Sequence, residues 1–143
     1  MKSVVGQACM LGAGDPRPAP KLLLVSDGPF VRRLIAEGLR HDGYRVREVD
    51  HRGLVAYAAE RADGQGEPVD AVLYDAATLA PQGTQALGEL RRLDWVMPIV
   101  ALQPNPDQPP DRDLSGLRLA AVVADVLDLD ETRTAVAALL PLR

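Results

Sequence analysis

The chain has 143 residues, 47% hydrophobic and 25% charged, and its 16 basic and 20 acidic side chains give a formal charge of −4. That size suits one ordinary domain and is too short for a catalytic domain plus a separate effector, while the acidic balance argues against a nucleic-acid surface. No apolar run reaches the roughly 18 residues a membrane-spanning helix needs, and the lone Cys9 excludes an internal disulfide and any cysteine-rich metal framework. The expectation is a soluble cytoplasmic domain with neither a nucleic-acid nor a membrane partner.

Residues 1–20 hold three prolines and three glycines without a sustained period, and read as a flexible leader rather than an export signal. The domain proper is expected over 21–143. KLLLV (21–25) has the look of a strand buried on both faces. Ser26-Asp27-Gly28-Pro29 then predicts a helix start with a small polar cap, and Phe30, Val31, Leu34, Ile35 and Leu39 recur at helical spacing until Gly43 closes the helix. A second strand is predicted over 44–49, a weaker helix over 52–62 on Leu54, Val55 and Ala58, and a third buried strand at AVLYD, 71–75.

Leu87, Leu90 and Leu93 mark a helix over 84–93, and PIVALQ (98–103) a fourth strand. Prolines at 104, 106, 109 and 110 forbid a regular helix there, with a short helical piece expected near 111–117. LAAVVA (119–124) is the fifth strand, and 130–140 the last helix, on Val136, Leu139 and Leu140. Strands alternating with helices at these lengths predict βαβ units, hence an α/β domain with a parallel sheet covered on both faces.

Ligands of an open parallel sheet gather beyond the carboxyl ends of its strands. Those ends are Ser26-Asp27, Asp75, Gln103 and Asp125, so three carboxylates are expected to converge on one edge. A cleft of like charges is unfavourable without a cation, which makes Asp27 and Asp75 the candidate metal ligands. His41 and His51 read as surface residues, Arg32-Arg33 as the solvent face of the first helix, and Trp95 as a packing residue.

The stretches LLLVSDGPFVRRLIAEGLRHDGYRVREV, LYDAATL, MPIVALQ and DLDETRTAVAALL follow one another in the order and spacing of a response-regulator receiver domain, which residues 21–140 resemble. The resemblance implies a flavodoxin-like doubly wound five-stranded parallel sheet of strand order 2-1-3-4-5. It implies that Asp75 is the phosphoacceptor, that Asp27 is one acid of a metal-binding pair, and that a histidine kinase or another signalling protein is the partner. Other family positions are degenerate. Ser26 stands where the first acid is usual, Gln103 where a Thr or Ser would bond the phosphoryl group, Val122 where the switch aromatic is usual, and Asp125 where a lysine is usual.

The only lysines are Lys2 and Lys21. Without a balancing ammonium, each like-charge contact at about 4 Å costs on the order of 4 kcal/mol at an effective dielectric near 20. The resulting expectation is a pseudo-receiver, not an enzyme, with no cofactor or only weakly held Mg²⁺, acting through protein partners. The alternative is a stand-alone receiver phosphorylated at Asp75 by a histidine kinase. A more remote one is an Asp-nucleophile phosphatase, against which Ala77 stands where such enzymes carry a second Asp. The first strand lacks G-x-G-x-x-G, so dinucleotide binding is not expected. The apolar run AVAALLPL (135–142) exceeds what one helix face needs, suggesting a homodimer through the last strand and helix.

Overall fold

Apolar runs without alternation become central strands when both faces of a sheet are covered. The computed structural model describes residues 18–78, 81–94, 96–103 and 118–142. It contains β1 (Lys21–Val25), α1 (Pro29–His41), β2 (Arg45–Val49), α2 (His51–Ala62), β3 (Ala71–Asp75) with a 3₁₀ turn at Ala76–Thr78, α3 (Pro81–Leu93), β4 (Ile99–Leu102), β5 (Ala121–Val123) and α4 (Leu129–Leu139). All neighbouring strands are parallel and the sheet order is β2-β1-β3-β4-β5, as the resemblance implies. The expectations for residues 1–17 of the leader, for the proline stretch and helical piece over 104–117, and for Trp95 lie outside the described residues.

Successive strand residues point to opposite faces. Leu23, Val25, Val72 and Tyr74 therefore pack with Leu54 and Tyr57 of α2 and Leu87 and Leu90 of α3. Leu22, Leu24, Leu73 and Val100 pack on the other side with Ile35 and Leu39 of α1 and Val136 of α4. In register, Val25 lies beside Val49 and Tyr74, so the tips of β1, β2 and β3 lie side by side.

Two expectations for α1 need correction. Phe30 and Leu34 are 79% and 42% exposed, because the helix carries two apolar ridges and the one through Ile35, Ala36 and Leu39 faces the sheet. No side chain caps the helix either: Gly28 is the N-cap, with Pro29 at the first helical position. Val55 and Leu93 are likewise exposed, and Tyr57 takes the core position on α2. The helix closes at Gly43, whose φ of +108° suits glycine.

Ala135 and Leu139 of α4, with Leu140 just beyond it, pack against the core, which removes most of the apolar surplus from which pairing was expected. The Tyr44 hydroxyl donates to the Leu140 carbonyl at 2.6 Å, and Arg133 binds both carboxylate oxygens of Asp42 just beyond α1. The Arg133 hydrogen bonds hold the Asp42 carboxyl below its ordinary value. A depressed carboxylate adds stability above its unfolded value, near about pH 4, and loses it as pH falls through the folded one. Arg133→Ala is therefore expected to lower the urea midpoint at neutral pH and to flatten its decline in acid, read from urea melts across that range.

Candidate functional site

β1 ends at Val25, and the next three residues turn toward three different partners. Ser26 is fully buried: its backbone N–H donates to Val49 O at 3.0 Å, which ties the β1 tip to β2. Its hydroxyl donates to Asp75 Oδ2 at 3.1 Å and accepts from the Gly28 N–H at 3.2 Å. Both roles of the hydroxyl are thus filled. Arg32 reaches back from α1 and donates to the Ser26 carbonyl at 2.7 Å, with its Nε 3.6 Å from Glu48. It therefore braces the loop instead of decorating the solvent face.

Asp75, last in β3, is buried, and its Oδ1 accepts from the Ala77 N–H at 3.0 Å. A carboxylate at a strand end commonly closes such a turn onto the backbone two residues on. Ser26 and Asp75, 49 residues apart, are brought together as expected from adjacent strand ends.

Asp27 behaves differently. Its Oδ1 accepts from the backbone N–H of His51 at 2.8 Å and its Oδ2 lies 2.7 Å from His51 Nδ1. An ionised carboxylate only accepts, so Nδ1 carries the hydrogen. His51 is thus not an unpartnered surface residue: it opens α2 and joins that helix to the β1–α1 loop. The contact was missed because the two residues are 24 apart in sequence. The order 2-1-3 was the available signal, since it sets whatever follows β2 beside whatever follows β1.

Gln103 is buried past the end of β4, its N–H donating to Val123 O and its carbonyl accepting from the Val126 N–H. Asp125 folds back on its own loop, Oδ1 accepting from the Leu127 N–H at 2.9 Å. Val122 on β5 is 44% exposed. Lys21 starts β1 and pairs with Glu67 at 3.0 Å, at the end of the strand opposite Ser26. The three carboxylates therefore have separate partners: Ser26 and the Ala77 N–H for Asp75, His51 for Asp27, and the Leu127 N–H for Asp125. Among the described residues no group of three or more His, Cys, Asp or Glu side chains is placed to hold one metal ion. As arranged, with both oxygens of Asp27 engaged, these residues do not fit a Mg²⁺ site.

No family model matches the chain, and no curated protein matches it in sequence. Solved structures do. The receiver domain of the sensor histidine kinase PA1611 from Pseudomonas aeruginosa PAO1, with a magnesium ion coordinated in its active-site cleft, is 27% identical with a TM-score of 0.69, over 87% of this chain and 99% of that one. The chemotaxis protein CheY4 of Vibrio cholerae is 17% identical, with a TM-score of 0.68 over 85% of this chain and 99% of its own. The response regulator TrrA from Thermotoga maritima, in complex with Mg²⁺ and BeF, is 22% identical, with a TM-score of 0.66 over 85% and 99% of the two chains. The structure matches response-regulator receiver domains broadly.

Proposed function

We propose that the chain is a cytoplasmic signalling module of the receiver type, in which Asp75 accepts a phosphoryl group from a histidine kinase and a protein partner reads the outcome. The observation that carries this reading is the buried Asp75 carboxylate at the tip of β3, in the middle of the sheet, hydrogen-bonded by Ser26 and the Ala77 N–H. Its likeness to a receiver domain at 27% identity supports it. In the transfer, an Asp75 oxygen attacks phosphorus, the bond from phosphorus to the donor breaks, and the donor leaves with the bonding pair. On this reading the chain is a substrate of the kinase and not itself an enzyme. No helix among the described residues is long and apolar enough to cross a membrane.

The test is incubation with a small phosphodonor, with and without Mg²⁺, followed by intact mass. An adduct of one phosphoryl group is expected in the wild type and its complete loss in Asp75→Ala. No adduct under any condition overturns the reading, and steady phosphate release would point to the phosphatase instead.

A second reading, a pseudo-receiver that signals by contact alone, is favoured by a specific observation. Ser26 supplies no charge beside Asp75, and Asp125 is closed on its own loop where the family carries a lysine. A second copy docked on β5 and the end of α4, where Val122 on the strand and Leu142 just past the helix remain exposed, is the partner this reading would take. Sedimentation at a single-chain mass over a wide concentration range would remove that copy.

A further inference from the structure

We propose that the open cavity at the amino ends of β4 and β5 binds a small organic carboxylate, its oxygens held between Arg91 and Arg118 and its apolar body laid on Met97 and Pro98. The cavity lies at the end of the sheet opposite Asp75, and the inference stands whether or not Asp75 accepts a phosphoryl group.

The cavity measures about 400 Å³ and is lined by Arg91, Val96, Met97, Pro98, Arg118 and Ala120. That volume falls within the roughly 300–1,000 Å³ of small-molecule sites. Its walls are fixed to the sheet. The Val72 N–H donates to the Pro98 carbonyl at 3.0 Å, and the Ala120 N–H donates to the Ile99 carbonyl at 2.9 Å. A site mounted on strands in this way needs little ordering to receive a ligand.

Charge sets the class of ligand. Arg91, in the last turn of α3, is buried, and its guanidinium donates to the carbonyls of Met97 at 2.7 Å, Asp94 at 3.3 Å and Arg118 at 3.5 Å. Carbonyls satisfy donors but carry no charge to balance a cation taken out of water. Burial pushes the Arg91 guanidinium below its ordinary value, the positive charge of Arg118 adds to this, and Asp94 opposes it. The Asp94 carboxylate is itself turned onto its own loop, accepting from the Val96 and Met97 N–H groups at 3.2 and 3.1 Å. Two guanidinium groups against this one carboxylate leave a surplus positive charge, which a monoanion matches. A planar guanidinium suits a carboxylate in particular, since it can offer two parallel N–H donors. Arg118 also has a φ of +53°, a left-handed conformation that glycine adopts freely and arginine at a cost. The chain thus carries a long basic side chain where its backbone favours glycine, and that residue lines the cavity.

The test is titration of benzoate into the full chain, followed by the NMR signals of the Met97 methyl and the Ala120 amide. Acetate probes the charge alone and benzyl alcohol the ring alone. Benzoate is expected to shift both signals along a saturable curve, and each control to bind at least about fivefold more weakly. Arg118→Gly keeps the carbonyl that accepts from Arg91 and suits the backbone. It is expected to hold or raise the urea midpoint while weakening benzoate binding about tenfold. Unmoved Met97 and Ala120 signals overturn the site, as does unchanged benzoate affinity in Arg118→Gly. Benzyl alcohol binding as tightly as benzoate overturns the role of the two arginines. Acetate binding as tightly overturns the apolar wall, and with it the assignment to an organic anion.

Discussion

Leu24→Ala is expected to destabilise the domain by about 3–4 kcal/mol, a sizeable share of the 5–15 kcal/mol that holds a typical domain folded. Leu24 is fully buried in β1, between β2 and β3, and packs into the layer formed with Ile35 and Leu39 of α1 and Leu73 of β3. Truncation removes three carbons, one methine and two methyls, from a site walled by strands on two sides and a helix above, where collapse around the cavity is limited. Leu34→Ala is the control. That side chain is 42% exposed on the outer ridge of α1, and its loss is expected to stay within about 0.5 kcal/mol. Urea melts of both variants decide it; equal shifts would mean that α1 presents the opposite ridge to the sheet.

The same pair of leucines marks where sequence reading stops. Apolar residues at 22–25, 71–74 and 99–102 read as buried strands because covering both faces of a parallel sheet leaves no alternation, and all three are strands. In α1, however, Phe30 and Leu34 form one apolar ridge and Ile35, Ala36 and Leu39 another. Periodicity finds both ridges and does not say which meets the sheet. The choice is made by tertiary packing, in which Ile35, Ala36 and Leu39 share one core cluster with Leu22, Leu24 and Leu73 of the sheet and Val136 of α4.

For the site, what was legible came from strand ends. Ser26 and Asp75 were expected at adjacent tips, and they share a hydrogen bond. What escaped were the choices among partners within reach. A polar pair ahead of Pro29 looks like a helix cap, yet Ser26 turns under to Asp75 and Asp27 turns out to His51, leaving Gly28 to begin the helix uncapped. A long-range, charge-assisted partner outweighs a local cap. Arg32 was misplaced for the same reason, since one turn into the helix its guanidinium reaches back to the Ser26 carbonyl.

Ser26→Asp is expected to give the largest change available at the site. The hydroxyl now donates to Asp75 Oδ2 at 3.1 Å from a fully buried position. A carboxylate there removes that donor while still offering an acceptor to the Gly28 N–H, and sets a second negative charge within about 4 Å of Asp75. At an effective dielectric near 20 the added repulsion is on the order of 4 kcal/mol, comparable with the Leu24 cavity. Two such carboxylates share one proton, so one pKa of the pair rises above its unfolded value. The sign follows: a carboxyl with a raised folded value binds its proton more tightly in the folded state, so the variant loses stability as pH climbs through the interval between the unfolded and raised values, and recovers it in acid. Urea midpoints for the variant are therefore expected to fall between about pH 4 and neutrality, where the wild type holds level. Added Mg²⁺ neutralises the new pair directly and is expected to raise the variant's midpoint more than the wild type's. Pairing the change with Asp125→Lys supplies the missing ammonium and is expected to lengthen the lifetime of a phosphoryl adduct at Asp75, followed by intact mass over time. A variant whose midpoint ignores both pH and Mg²⁺ would show that position 26 does not place its side chain against Asp75.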